Sequence, residues 1–118
     1  DQTRPRSKLH ILARKFRREQ FPYDTILEEV PLVGSHKPSR KSTLYVDFFI
    51  PSHSLAVEVH GRQHFEFVAH FHGDRKGFRK SKARDRDKAN WLLNNEIELI
   101  VLSYSGTEDE WRESIINR

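Results

Sequence analysis

Asp47, Glu58 and His60 interrupt the apolar run "VDFFIPSHSLAVEVH". Two carboxylates aimed at one spot repel and lose hydration, which is tolerable only when a cation neutralises them or one takes up a proton. Oxygen ligands of this kind select hard cations. Mg²⁺ typically keeps several waters alongside one or two carboxylates and a substrate phosphate. An imidazole beside them can take a proton from water or, once protonated, steady a phosphate oxygen. A third acid lies in "KARDRDKANWLL", where helical spacing sets Asp85, Ala89 and Leu92 on one core-facing stripe. Asp87 falls about 200° around from Asp85 and is expected in solvent. Lys88, one turn after Asp85, could hold it or reach a phosphate. The chemistry these types suggest is metal-assisted phosphodiester hydrolysis, with Asp47, Glu58 and Asp85 as ligands.

Singly, each of these residues has a plainer reading. A strand carboxylate often caps the strand or pairs with an arginine, and a histidine at a strand end is usually a surface residue. The combination is what carries weight. Gly61 lets the chain turn sharply after the strand, and His64 follows within reach of the same end.

The elements that must position these groups can be read from the pattern. Ser7 can cap a first helix with Leu9, Leu12, Ala13 and Phe16 on one stripe and Arg14, Lys15, Arg17 and Arg18 elsewhere; Pro22 closes it. Thr25–Leu32 has strand character, with Pro31 pointing to an edge or a strand end. "TLYVDFFIP" alternates, and after the tight connection "PSHS" the segment "LAVEVH" returns antiparallel, with Ala56, Glu58 and His60 on one face. That tight connection is expected not to set Asp47 directly opposite Glu58, so a twisted or splayed hairpin is needed to join the carboxylates. A helix over about Arg75 to Asn95 leads into the apolar strand Ile97–Tyr104. Thr107 three residues before Glu110 forms a capping box that opens a last helix carrying Trp111 and Ile115. The order helix, three strands, helix, strand, helix predicts an α/β fold with a mixed four-stranded sheet.

A chain of 118 residues supports one domain, here 1–118. It starts at aspartate and contains no methionine, so it is expected to be a fragment of a longer chain. Without cysteine there is no disulfide framework and no thiolate metal site. No apolar stretch is long enough to span a bilayer. The net charge is +4 with a pI near 9.6, and the basic residues are clustered, which suits a polyanion. Lys37, Arg40 and Lys41 in one loop, Arg62, and Arg75, Lys76, Arg79, Lys80 and Lys82 on the long helix form the expected phosphate-tracking surface.

Asp47 followed by Glu58-Val59-His60 resembles the core of the PD-(D/E)XK nuclease superfamily, with aspartate on the second strand and Glu-X-Lys on the third. Val46 stands where the motif proline would be, and His60 replaces the lysine. The histidine form, followed by "RDRDKANWLL" and a strand, is similar to very-short-patch repair endonucleases and to phage homing endonucleases with an EDxHD signature. The similarity runs over roughly residues 43 to 104. It implies a restriction-endonuclease-like fold and Mg²⁺-dependent DNA cleavage, with Mn²⁺ as a substitute, leaving a 5′-phosphate. It also implies roles for Asp47 as a ligand, for His60 and His64 at the scissile phosphate, and for Asp85 as the late helical acid. For the signature's first glutamate, Glu28 is the leading choice, with Glu29, Glu19 and His10 as the others. The resemblance further implies DNA-recognition segments outside this stretch, possible self-association, and a place in the cytoplasm of a bacterial or phage-infected cell.

Two other readings stand beside this one. A non-catalytic nucleic-acid-binding domain of the same fold explains the charge but not the acids. A zinc site of His64, His70 and His72 has loose loop spacing and no cysteine to close it. Phe65, Phe67, Phe71 and Phe78 could stack on bases, though packing of the loop is the simpler role for them.

Overall fold

The structure is a computed structural model that describes residues 11, 14–37, 42–61, 69–103 and 106–116. Four strands form one sheet in the order β1 (Leu27–Pro31), β2 (Tyr45–Ile50), β3 (Leu55–His60), β4 (Glu98–Ser103). β1 and β3 pair antiparallel to β2, and β4 runs parallel to β3. A parallel partner cannot be reached by a hairpin. The return is made by a short helix α1 (Ala69–His72) and the long helix α2 (Arg75–Asn94). A last helix, α3 (Glu108–Ile116), follows β4. The mixed α/β sheet expected from the alternation is therefore present. The N-terminal helix is described from its later part, which ends as a π-helical turn over Phe16–Gln20 before Pro22.

Both faces of the sheet are covered. On one, Phe48, Ile50, Leu55, Val57, Ile100 and Leu102 pack with Phe21 and Ile26 and with Ile115 and Trp111 of α3. On the other, Ala56 and Val46 pack with Leu92 of α2, joined by Phe49 and Trp91. Each fully buried side chain of this size contributes about 1.5–3 kcal/mol relative to exposure. Burial on both sides explains why β3 is buried over four consecutive residues, Leu55 to Glu58, rather than strictly alternating.

Local signals account for the helix ends. Asp74 caps α2 by accepting the Gly77 amide at 2.8 Å. Gly77 is needed because a Cβ there would collide with the carbonyl oxygen of His72, where α1 abuts α2. The capping box of α3 is reciprocal: the Thr107 amide donates to Glu110 Oε1 at 2.8 Å, and the Glu110 amide donates to Thr107 Oγ1 at 3.1 Å. Asp24 ties the hairpin turn to the N-terminal segment, accepting from Ser52 Oγ at 2.7 Å with His53 Nε2 at 3.0 Å.

A candidate carboxylate site at the sheet centre

Asp47 and Glu58 are each the next residue beyond the last paired rung of β2 and β3, Phe48↔Val57. The register pairs Ile50 with Leu55, Phe49 with Ala56 and Phe48 with Val57, so by count the next step outward is 47 and 58. The expectation that the turn would hold them out of step is thus corrected. Four connecting residues, 51–54, leave both carboxylates equally far from the turn. No splaying of the hairpin is required.

The sheet is distorted at this level instead. Glu29, the residue of β1 opposite Asp47 by the same count, has φ +51 and drops out of the ladder, which resumes at Val30↔Val46. Such interruptions re-aim side chains. Here the Asp47 carboxylate turns toward β3 and accepts the backbone amide of Val59 at 2.8 Å.

Glu58 is 4 % exposed, and both its oxygens are engaged. His60 Nε2 lies 3.0 Å from Oε1, and Lys88 Nζ from α2 lies 2.5 Å from Oε2. Burial raises the Glu58 carboxyl, but the His60 contact and the Lys88 charge outweigh this and hold it below its ordinary value. Asp47 goes the other way. Burial is the main cause, reinforced by the Glu58 charge; the Val59 amide, Lys88 and His60 offset it only in part, and its carboxyl is raised. Neighbouring carboxyls pushed apart in this way divide roles between a permanent anion and a group able to hold a proton.

Helix α2 presents Lys88, not Ala89, to the sheet. Ala89 is exposed, while Lys88 and Leu92, one turn apart, are covered. The long stem of a lysine can lie along apolar surface while its charged end meets Glu58, so a basic residue fits the inner stripe. Asp85 is half-buried one turn before Lys88 and is not among the groups whose charge acts on Asp47 or Glu58. Among the described residues no three His, Asp or Glu side chains converge to hold a metal ion. Direct contacts join Glu58, His60 and Lys88, with Asp47 beside them on β2, and Asp85 lies half-buried on the same inner side of α2. Asp87, expected in solvent, is partly covered and ion-paired with Lys37 at 2.8 Å. The signal for this pairing was the basic loop facing the helix, which sequence spacing does not reveal.

Glu28 is exposed on β1 opposite Phe48. Arg75, Lys76, Arg79, Lys80 and Lys82 are all exposed along α2. On the helical wheel Arg75, Arg79, Lys82 and Arg86 fall within about 60° of one another, on a side turned away from Lys88 and Leu92. Phe78 packs edge-on against His72 with ring centroids 5.0 Å apart. Arg40, Lys41, Arg62, His64, Phe65 and Phe67, the alternative His10, and the side chains of His70 and Phe71, lie outside the described residues.

Among known proteins, the chain is similar to two viral ones. It is 36% identical over 62 residues to uncharacterized protein 307L of Invertebrate iridescent virus 6, covering 52% of this chain and 32% of that protein. It is 34% identical over 79 residues to uncharacterized protein 094L of Frog virus 3 (isolate Goorha), covering 66% of this chain and 51% of that protein. The chain thus spans about a third and about half of the relatives' own lengths. No family model and no solved structure matches.

Proposed function

We propose that this chain is the catalytic core of a divalent-metal-dependent nuclease acting on DNA, with a restriction-endonuclease-like arrangement of its elements. The observation that carries the reading is the juxtaposition of Asp47, Glu58, His60 and Lys88 on two adjacent strands and the helix above them. The strand order, with a parallel fourth strand reached through α2, supports it. The exposed cations of α2 supply a surface for the phosphate backbone. The viral relatives suggest work inside a virus-infected cell.

Two adjacent carboxylates meet the oxygen-donor requirement of a hard cation such as Mg²⁺, so Asp47 and Glu58 would hold it. When bound, such a cation polarises a phosphate oxygen and makes water a better nucleophile. The chain's own groups do the rest. His60, two residues beyond Glu58 on the same face, accepts or delivers a proton at Nε2. Lys88 is partly buried, so its ammonium is weakly screened and opposes the negative charge that develops on the phosphate. Glu58 keeps His60 and Lys88 oriented before substrate arrives.

The test is plasmid DNA incubated with the chain, with and without Mg²⁺, beside an Asp47→Ala variant. Nicking or linearisation that needs both Mg²⁺ and Asp47 is expected. Cutting by the variant equal to that of the parent would sink the assignment. A second reading, a non-catalytic nucleic-acid-binding domain, is favoured by one observation: His60 and Lys88 already satisfy both Glu58 oxygens. It predicts DNA binding with no cleavage under any divalent ion.

A further inference from the structure

Beside the C-terminal half of α2 lies a groove of about 270 Å³, lined by Lys37, Asp87, Asn90, Trp91 and Asn94 among others. It is separate from the carboxylate cluster. We propose that this groove is a nucleobase subsite, receiving one unpaired base of a nucleic-acid strand whose phosphates follow the basic face of α2. The proposal deepens the nucleic-acid reading above and rests on it.

Three features fit a base better than another ligand. The first is a fixed aromatic wall. Trp91 donates its indole Nε1–H to the Val33 carbonyl at 3.1 Å, and the same ring borders an apolar cavity with Leu32, Val46 and Phe49. The loop opposite is fastened too, since Ser35 Oγ accepts the Leu44 amide at 2.8 Å. A ring held in this way is a stacking platform that tolerates any base.

The second feature is the polar rim. Asn90 and Asn94 are exposed and spaced i, i+4, so their amides stand about 6 Å apart along the helix. Each offers both a donor and an acceptor, the pairing that reads a base edge. The Lys37–Asp87 ion pair adds a further donor and acceptor with little net charge. A phosphate alone would need cations in excess, whereas among the described residues the rim's Lys37 is paired with Asp87.

The third is the approach. By helical geometry Lys76 and Lys80 lie within about 80° of Asn90 and Asn94 on the wheel, all on exposed positions. A strand tracking α2 from its N-terminal turn therefore arrives at the groove.

The experiment measures binding of the full chain by fluorescence anisotropy, in chelator so that nothing is cut. The probes are a short oligo-dA strand and an abasic strand of equal length. The base-bearing strand is expected to bind tighter by on the order of tenfold. The double variant Asn90→Ala/Asn94→Ala should reduce that advantage to roughly two- to threefold, the share left to stacking on Trp91, with abasic binding and melting temperature unchanged. Asn94→Ala alone should give an intermediate loss. Equal binding of the two strands, or an advantage undiminished in the double variant, overturns the subsite. An acidic peptide that competes as well as oligo-dA also overturns it, in favour of a protein partner. The two readings fail differently. Binding of both strands alike, with Mg²⁺-dependent cutting intact, removes the subsite alone. Binding of neither strand and no cutting removes both.

Discussion

Asp47 and Glu58 each follow the last paired rung of two neighbouring strands, yet their carboxyls are driven in opposite directions, Asp47 up and Glu58 down. Burial raises both, and the difference lies in the partners that offset it. Glu58 holds Lys88 and His60 directly, while Asp47 has a single backbone amide and feels Glu58 as a repelling neighbour.

Replacing Asp47 with Asn should separate activity from stability. The amide oxygen can still accept the Val59 amide, but the buried charge is gone. A carboxyl whose folded value is raised costs stability once ionised, so its cost appears as pH climbs above 3.8 and is full beyond the folded value. Asp47→Asn should therefore melt at a higher temperature than the parent at neutral pH and equally in strong acid. It should also lose Mg²⁺-dependent cleavage, by roughly 10²-fold or more. An unchanged or lower melting temperature at neutral pH would contradict the electrostatic picture.

Lys88→Met leaves Glu58 buried with His60 as its remaining partner. Breaking a buried pair from one side costs up to about 3–5 kcal/mol, and His60 should reduce this to roughly 1–3 kcal/mol. The second change Glu58→Gln should restore most of the loss, because no buried charge is then stranded. Glu58 is held below 4.5 when folded, so its contribution is present above that value and disappears as pH falls through the folded one. Denaturant titrations of the four chains at neutral and acid pH measure both the coupling and its direction.

Asp24 anchors Ser52 and His53 at the hairpin turn, and its carboxyl is lowered by those two contacts. A depressed acid stabilises above its ordinary value of 3.8 and ceases to do so as pH falls through the folded value. Asp24→Asn should thus show a small melting deficit near neutrality that closes in acid. A deficit independent of pH would assign the role to packing.

DNA affinity should fall steeply with salt if the exposed face of α2 tracks phosphates. Arg79→Ala and Arg86→Ala should each reduce the slope of log affinity against log salt by about one, without changing base preference. A slope that does not move would place the phosphate contacts elsewhere.

At Gly77, two effects compete on substitution by alanine. Helix propensity favours the change by about 1 kcal/mol. The methyl would meet the His72 carbonyl oxygen, and overpacking typically costs about 1–3 kcal/mol. Net destabilisation is expected in a chemical melt.

The sequence makes the hairpin, α2 and the capped last helix legible because each carries a local signal: period-two alternation, an acid cap, and the Thr107–Glu110 box. The site was legible only in part. Alternation set Glu58 and His60 on one face, as found. The helical stripe placed Leu92 inward as found but misplaced Ala89, because periodicity scores an alanine as inward and a lysine as outward. It carries no information about a buried anion waiting on the facing strand, and Glu58 is what draws Lys88 in. The distortion at Glu29 was invisible for a related reason. A left-handed glutamate has no sequence signature, and only its partner strand explains where it falls.

That left-handed residue also matters for how the molecule meets its neighbours. β1 is the sheet's outer margin, and an open margin invites another chain to zip on. With Glu29 turned out of line at φ +51 and Pro31 lacking an amide hydrogen, the row of donors is broken twice within five residues. A straight segment laid alongside would find its hydrogen bonds out of phase. The kink thereby blunts the flank against fibril-like growth.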